Sequence, residues 1–198
     1  MKITSATFLT SATEVAACPD SPLPEIAFIG RSNVGKSSLL NLLSGEAKLA
    51  KTSSTPGHTK LINFFVMNGT WCMVDLPGYG FTKAKPSERA DFERMIADYL
   101  TRRENLLCVL VLIDSRHEPQ VIDLEFVEWL AEHRVGMALV FTKSDKLKPV
   151  AVARNMAAFQ KIIAPLFPEP PPSFACSVIT RDGRRELMGF LGKVLTGG

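Results

Sequence analysis

The chain has 198 residues, 46% of them hydrophobic and 22% charged, which predicts one ordinary globular domain with a sizeable core. Its 23 Lys and Arg residues nearly balance its 20 Asp and Glu residues, and this balance neither requires nor excludes a nucleic-acid partner. The longest apolar run, Leu106 to Ile113, is too short to span a bilayer. Met1 to Thr13 lacks the apolar core of a secretory signal. Four scattered cysteines without a CxxC pair indicate free thiols, so we expect a cytoplasmic protein without a membrane partner.

Apolar runs alternate with amphipathic segments along the chain, which is typical of an α/β fold. The predicted strands are Ile26–Ile29, Leu61–Met67, Trp71–Asp75, Leu107–Asp114, Met137–Thr142 and Phe174–Ser177. The predicted helices are Lys36–Leu43, Ser87–Arg102, Pro119–Glu132, Pro149–Ile163 and Arg184–Leu195. The central strands are almost wholly apolar, so we expect a mostly parallel six-stranded sheet with helices on both faces. Residues 1–24 are expected to pack as an extension on a domain formed by residues 25–198.

One segment fits the phosphate-binding pattern GxxxxGK(S/T), and it reads Gly30-Arg31-Ser32-Asn33-Val34-Gly35-Lys36-Ser37. A strand is predicted directly before this P-loop and an apolar helix directly after it, which is the context that the pattern requires. Backbone N–H groups of such a loop surround phosphates, and the positive end of the helix adds to their field. We expect Lys36 to reach the β- and γ-phosphates, Ser37 to ligate Mg²⁺, and Ser38 to belong to the same site.

A P-loop alone would suit an ATPase, a kinase or a GTPase, and a second motif favours the GTPase. Thr142-Lys143-Ser144-Asp145 follows a strand, where the guanine-specificity pattern (N/T)KxD would lie. The Asp145 carboxylate can accept two hydrogen bonds from guanine N1–H and N2–H₂, a donor pair that adenine lacks. Lys143 is expected to lie along the base and the P-loop. At the end of the last strand, Cys176-Ser177-Val178 is expected to offer backbone N–H groups to guanine O6.

Two further segments predict a switch that responds to the γ-phosphate. Asp75-Leu76-Pro77-Gly78 fits DxxG, with Asp75 holding a water of the Mg²⁺ shell and the Gly78 N–H binding the γ-phosphate. The long polar loop from Gly45 to Lys60 carries the other contact, assigned to Gly57-His58-Thr59-Lys60-Leu61. Thr59 is expected to reach Mg²⁺ with its hydroxyl, with Thr55 as the competing candidate. The two switch loops are therefore Gly45–Lys60 and Pro77–Lys85, and loss of the γ-phosphate would release both.

With these motifs in place, the chain resembles the EngB (YihA or YsxC) family of bacterial ribosome-assembly GTPases, in the wider group that includes Era, EngA and TrmE. The resemblance rests on GRSNVGKSSLLN, TPGHTKLINFF, DLPGYGFTKA, LIDSRHEP and TKSDK. It implies a three-layer P-loop NTPase fold of the Ras-like G-domain type, with GTP and GDP as ligands. It also implies a large ribosomal subunit precursor with its rRNA as partner, and a link to normal cell division and septation. Cys176 departs from the family pattern at the last strand.

Catalysis is expected to involve Lys36, Thr59, Gly78 and Asn33. Tyr79 follows Gly78 where Ras-like enzymes carry a water-orienting glutamine, so hydrolysis should be slow. In related GTPases an asparagine at the position of Asn33 can ligate K⁺; the alternative is an Asn that suits the loop dihedral angles.

Five lysines in the two switch loops would suit rRNA phosphates or serve solubility alone: Lys48, Lys51, Lys60, Lys83 and Lys85. We expect a monomer. A nucleotide kinase would instead need acceptor-site arginines and a lid, and no such Arg-rich lid is evident. A GTPase acting at a membrane or on a filament would need a basic amphipathic helix or a lipidation site, and neither terminus shows one.

Overall fold

The computed structural model describes residues 1–50, 61–79 and 86–197, except for the side chains of residues 86–89 and 92. The strands of this described part are β1 (Ala6–Ala12), β2 (Glu25–Gly30), β3 (Ile62–Met67), β4 (Trp71–Asp75), β5 (Leu106–Asp114), β6 (Met137–Thr142) and β7 (Ser173–Ala175). Its α-helices are α1 (Lys36–Ser44), α2 (Pro86–Arg102), α3 (Val121–Glu132), α4 (Pro149–Ile163) and α5 (Arg184–Thr196). None of the helices described is both long and apolar enough to cross a bilayer.

The strands form one sheet in the order β1-β3-β4-β2-β5-β6-β7. The five strands from β4 to β7 run parallel, whereas β3 is antiparallel to both β1 and β4. Three residues join β3 to β4, and the first two, Asn68 and Gly69, have positive φ angles of 52° and 67°. This is the backbone that a tight hairpin requires. The mostly parallel sheet and the helices on both faces agree with the sequence prediction.

The sheet has seven strands rather than the six that were predicted, because the N-terminal stretch supplies β1. Asn68 holds the start of this strand, since its side-chain oxygen accepts the N–H groups of Thr4 and Ser5 at 2.7 and 3.2 Å. The sequence does not predict β1, because the residue pattern of this strand is weak. Phe8 and Leu9 are adjacent in the chain and both are exposed, so the strand lacks a clear apolar face.

Two apolar clusters cover the two faces of the sheet. In β5 the side chains alternate, with Val109, Val111 and Ile113 in one cluster and Cys108, Leu110 and Leu112 in the other. Helices α2, α3 and α4 complete the first cluster, to which Tyr99, Leu130 and Phe159 contribute. Helices α1 and α5 complete the second, with Leu39, Leu43, Leu187 and Leu191. The result is the three-layer arrangement that the near-continuous apolar strands indicate.

The last strand ends earlier than predicted. It spans Ser173–Ala175, so Cys176 and Ser177 lie beyond it. The Ser177 hydroxyl oxygen accepts the N–H groups of Ile179 and Thr180, both at 3.1 Å. A serine that binds the backbone ahead of it in this way favours a turn over a continuing strand.

The register of the parallel strands brings four chain segments to one edge of the sheet. Phe28 of β2 pairs with Asp75, the last residue of β4, and Gly30 pairs with Leu112 of β5. The last residues of β5 and β6, Asp114 and Thr142, pair with each other. From β2 the chain continues to β3 on one side of the sheet, whereas from β5 it continues to β6 on the other side. The chain order therefore reverses between β2 and β5, and ligand sites of open α/β sheets lie at such a point.

At the opposite end of β2, a buried ionic cluster ties α2 to the sheet. The Glu25 side chain is 1% exposed, and its carboxylate accepts hydrogen bonds from Arg103 at 2.6 to 3.0 Å. The Tyr99 hydroxyl donates to the same carboxylate at 2.7 Å. Arg103 also donates to the Pro19 carbonyl at 2.7 Å, which attaches the N-terminal stretch to α2.

We predict that Arg103→Ala lowers the free energy of unfolding by about 3 kcal/mol, because it leaves a buried carboxylate without its cation. The neighbouring Arg102 is the matched control, since its side chain is 73% exposed and its pair with Asp98 lies on the surface. Arg102→Ala should cost less than about 0.5 kcal/mol. Urea denaturation of both variants measures the difference, and equal losses would contradict the role given to the Glu25 cluster.

Candidate nucleotide site

The P-loop leaves β2 at Gly30 and enters α1 at Lys36 without an intervening residue of regular structure. Two of its residues adopt left-handed backbone, Asn33 with φ 62° and Gly35 with φ 103°. At Gly35 this angle suits glycine, and at Asn33 it suits a side chain that tolerates the left-handed region. Successive reversals of this kind turn backbone N–H groups to one side and create a concave anion site.

The Lys36 ammonium forms an ion pair with the Asp75 carboxylate. Both side chains are largely buried, with 11% of Lys36 and 6% of Asp75 exposed. The pair joins the first turn of α1 to the end of β4. The cation that sequence analysis assigns to phosphates therefore lies beside the carboxylate that it assigns to the Mg²⁺ shell.

Gly78 lies directly against the P-loop backbone. A Cβ atom at this position would be 2.5 Å from the Gly30 carbonyl oxygen and 3.4 Å from the Ser32 nitrogen, so a side chain would force the two segments apart. The preceding residues Leu76 and Pro77 are buried, and the Leu76 N–H donates to the Phe28 carbonyl at 3.0 Å. The DxxG segment is thus an extension of β4 that ends in contact with the start of the P-loop.

Tyr79 is directed towards α3. Its hydroxyl donates to the Asp123 carboxylate at 2.8 Å, and its ring stacks on Phe126 with 4.3 Å between the ring centroids. Burial raises the pKa of Tyr79 well above its usual value, and the Asp123 carboxylate raises it further, so the phenol remains a donor. The hydroxyl is engaged with α3, which agrees with the expectation that Tyr79 does not act as a water-orienting glutamine would.

Thr142 and Lys143 fasten the end of β6 to the P-loop. The Thr142 hydroxyl donates to the Val34 carbonyl at 2.6 Å. The Lys143 ammonium donates to the Asn33 carbonyl at 2.6 Å and to the Asp114 carboxylate at 2.8 Å. A Cβ atom at Gly35 would lie 3.9 Å from the Lys143 Cε, so the lysine stem runs across the loop as its place in the (N/T)KxD pattern predicts.

Asp114 is a site residue that sequence analysis missed. Its carboxylate accepts hydrogen bonds from Arg116 at 2.9 and 2.7 Å as well as the one from Lys143. Burial by itself would raise the pKa of the Asp114 carboxyl, but these hydrogen bonds outweigh it and hold that pKa below its usual value. The sequence did contain a signal for placing Asp114 in the site, because this residue ends a strand at the same sheet edge as Gly30 and Thr142.

The Asp145 carboxylate is held by two neighbours. The Ser177 hydroxyl donates to its Oδ1 at 2.7 Å, and the Lys146 ammonium lies 3.1 Å from its Oδ2. The hydrogen bond from Ser177 and then that from Lys146 lower the pKa of Asp145, so the group is an ionised acceptor near neutral pH. The Ser144 N–H donates to the Cys176 carbonyl at 3.2 Å, which joins this turn to the end of β7.

The predicted binding of guanine O6 by the backbone N–H groups of Cys176, Ser177 and Val178 requires a correction at the first two residues. The Cys176 N–H donates to the Phe141 carbonyl at 2.8 Å, and the Ser177 N–H donates to the Asp182 carbonyl at 3.1 Å. Both groups therefore have partners within the protein. The backbone N–H of Val178 is the one of the three that stays a candidate for the base.

Four predicted site residues, Gly57, His58, Thr59 and Lys60, lie outside the described residues, as do Thr55, Lys51, Lys83 and Lys85. Leu61 is described and is exposed just before β3. Ser37 and Ser38 lie half-buried in the first turn of α1, and Ser32 is exposed in the P-loop.

The donor set fits a Mg²⁺ ion that is bound together with a nucleotide. Within residues 1–50, 61–79 and 86–197, no group of three or more His, Cys, Asp and Glu side chains is placed to hold a metal ion. The structure instead offers the Ser37 hydroxyl on α1 and the Asp75 carboxylate at the end of β4. Mg²⁺ commonly takes one or two protein oxygens and completes its shell with phosphates and water.

Two solved structures share this fold. The first is described as a probable GTP-binding protein engB, with a TM-score of 0.68 and 23% identity over 88% of this chain and all of that chain. The second is Era in complex with MgGDPNP and nucleotides 1506–1542 of 16S ribosomal RNA, with a TM-score of 0.67 and 21% identity over 87% of this chain and 56% of Era. At these identities, the two structures support the fold alone.

Sequence comparison gives the family. A family model described as a 50S ribosome-binding GTPase matches residues 25–143, more than half of the chain. The probable GTP-binding protein EngB of Christiangramia forsetii is 46% identical over 96% of both chains. That of Bacteroides fragilis is 47% identical over 98% of this chain and 96% of its own. With its P-loop, DxxG and (N/T)KxD segments joined at one sheet edge, this chain belongs to the EngB family of GTP-binding GTPases.

Proposed function

We propose that this GTPase is a slow, Mg²⁺-dependent switch whose nucleotide state controls its association with a precursor of the large ribosomal subunit. The observation that carries the proposal is the contact of Gly78 with the P-loop backbone. This contact supports the proposal because Gly78 is expected to bind the γ-phosphate and the P-loop is expected to bind the β-phosphate. Loss of the γ-phosphate would then be sensed where these two segments meet.

In the proposed reaction, the P-loop N–H groups and Lys36 bind the phosphates, and the Gly78 N–H contacts the γ-phosphate. Mg²⁺ would be held by Ser37 and Thr59, and through water by Asp75, and it would neutralise charge on the β- and γ-phosphates. Hydrolysis is slow because the Tyr79 hydroxyl is bonded to Asp123, so this position does not orient the attacking water. Selectivity for guanine comes from the ionised Asp145 carboxylate, which Ser177 holds in place.

The ribosomal part of the proposal has a different kind of support. The matching family model is described as 50S ribosome-binding, and the resemblance implies a role in assembly of the large subunit with consequences for cell division and septation. We propose a cytoplasmic monomer that contacts rRNA through the lysines of the two switch loops. Of these, Lys48 lies in the described part of the chain, where it is exposed.

We predict that Ser177→Ala weakens GDP and GTP binding about fivefold to tenfold, because Asp145 loses the hydroxyl that holds it for the base. Fluorescence titration with GTP, GDP and ATP measures these affinities, and ATP should bind weakly to the variant and to the unaltered protein. Ser173→Ala is the control, because the Ser173 hydroxyl donates at 3.1 Å to the Pro171 carbonyl at the other end of β7. Unchanged GDP binding by Ser177→Ala would reject the role assigned to this serine.

We predict faster GTP hydrolysis in KCl than in NaCl if Asn33 ligates K⁺. The structure also supports the other interpretation, because Asn33 has a φ angle of 62°, which a small polar residue or glycine tolerates. Asn33→Gly separates these two interpretations, since glycine can keep the positive φ angle and has no side-chain oxygen to ligate K⁺. The K⁺ effect should disappear in this variant while GDP binding is retained. Equal hydrolysis rates of the unaltered protein in the two salts would contradict the assignment of K⁺ to Asn33.

We predict that the protein co-sediments with large-subunit precursor particles more with a non-hydrolysable GTP analogue than with GDP. Lys48→Glu should weaken this binding, because a phosphate contact becomes a repulsion. Lys161→Glu on α4 is the control, since this lysine is also exposed but lies outside the P-loop and switch segments. Sedimentation that is identical in the two nucleotide states would reject the switch. If Lys48→Glu binds the particles as well as the unaltered protein does, Lys48 does not contact them.

A further inference from the structure

Asp123 joins the two segments that meet at Gly78. Its Oδ1 accepts the hydrogen bond from Tyr79, the residue that follows Gly78, at 2.8 Å. Its Oδ2 lies 3.8 Å from the guanidinium of Arg31, the residue that follows Gly30. The backbones of Gly30 and Gly78 themselves are in close contact. One carboxylate on α3 therefore reaches the neighbours of both glycines.

The carboxylate is on a fixed support. Asp123 is in the first turn of α3, where its N–H donates to the Gln120 carbonyl at 3.0 Å. Val127 and Leu130, on the same helix, are fully buried against the sheet. Because α3 is anchored in this way, a side chain that binds Asp123 is held relative to the sheet rather than to a loop.

The Asp123 side chain depends on these partners. It is about 1% exposed, and burial raises the pKa of its carboxyl, an effect that the hydrogen bond from Tyr79 and the charge of Arg31 oppose. A buried carboxylate without partners is strongly destabilising. Asp123 is thus held by a hydrogen bond from Tyr79 and by a longer ion pair with Arg31, whose side chain is partly exposed.

We propose that Asp123 is a positioning residue for the γ-phosphate contact: through Tyr79 and Arg31 it keeps Gly78 against the P-loop before the nucleotide arrives. This inference rests on the proposed role of Gly78. A preorganised contact costs less ordering when the ligand binds. GTP binding gains from this positioning, and GDP binding does not, because GDP has no γ-phosphate for Gly78 to meet.

The chain provides a matched control for a merely structural role. Tyr99 is also a buried tyrosine whose hydroxyl donates to a buried carboxylate, that of Glu25, at 2.7 Å. This second pair lies at the start of β2, whereas the P-loop follows its end. Tyr79→Phe and Tyr99→Phe therefore remove the same chemical group from similar surroundings, near the nucleotide site in one case and remote from it in the other.

The experiment measures binding of a non-hydrolysable GTP analogue and of GDP to both variants, together with their unfolding in urea. Both variants should lose comparable stability, since each leaves a buried carboxylate without a hydroxyl donor. Tyr79→Phe should lower the affinity for the GTP analogue about fivefold to tenfold and leave the affinity for GDP within about twofold of that of the unaltered protein. Tyr99→Phe should leave both affinities unchanged. If Tyr79→Phe weakens both nucleotides alike, or neither of them, the inference is overturned.

Two further variants complete the design. Asp123→Asn keeps the size of the side chain but removes the charge that attracts Arg31, so it should weaken the GTP analogue selectively, as Tyr79→Phe does. Gly78→Ala tests the proposed function directly, because its Cβ would collide with the Gly30 carbonyl. If Gly78→Ala leaves the ratio of the two affinities unchanged, the role of Gly78 is wrong. If it alters the ratio whereas Tyr79→Phe and Asp123→Asn do not, the positioning role of Asp123 alone is wrong.

Discussion

The close approach of Gly78 to the Gly30 carbonyl is the constraint on which the site depends. The parallel register that pairs Phe28 with Asp75 brings the ends of β2 and β4 side by side, and the DxxG segment then has to pass directly over the start of the P-loop. Only a residue without a Cβ atom fits there. The same register places the Asp75 carboxylate within reach of Lys36. The proposed phosphate-binding loop and the proposed γ-phosphate contact are thus brought together by one strand pairing.

The site also has to hold several carboxylates near a ligand that is itself strongly negative. In the structure each of these carboxylates has a partner, and the pairs are Asp75 with Lys36, Asp114 with Lys143 and Arg116, Asp123 with Tyr79 and Arg31, and Asp145 with Ser177 and Lys146. Buried or half-buried carboxylates are tolerated when they are hydrogen-bonded and their charge is offset. Each pair also holds a residue to which a nucleotide contact is assigned or its neighbour, so the contacts that stabilise the carboxylates would also organise the proposed nucleotide contacts.

The segments of the candidate site that are local in the chain can be predicted from the sequence. The P-loop, DxxG and (N/T)KxD segments each owe their geometry to a strand end and the residues next to it, so a short sequence pattern is enough to indicate them. Asp123 cannot be predicted in this way, because it lies 44 residues from Tyr79 in a segment whose pattern indicates only an amphipathic helix. The partnership exists because the first turn of α3 lies beside the segments that follow β4 and β2, and periodicity cannot reveal which helix turn faces which loop. The early end of β7 has a local cause, because the hydrogen bonds that Ser177 accepts from Ile179 and Thr180 favour a turn over a continuing strand.

Tyr79 connects two properties that would otherwise look independent. A glutamine at this position would need to be free to meet a water molecule, whereas the tyrosine is bonded to Asp123 and stacked on Phe126. In the roles proposed above, a tyrosine bound to α3 takes no part in hydrolysis and holds the backbone at Gly78. Slow turnover and a preorganised γ-phosphate contact would then have the same residue as their cause. In the proposed switch, which remains in its GTP state until a partner is engaged, both effects would act in the same direction, because the first would prolong that state and the second would favour its formation.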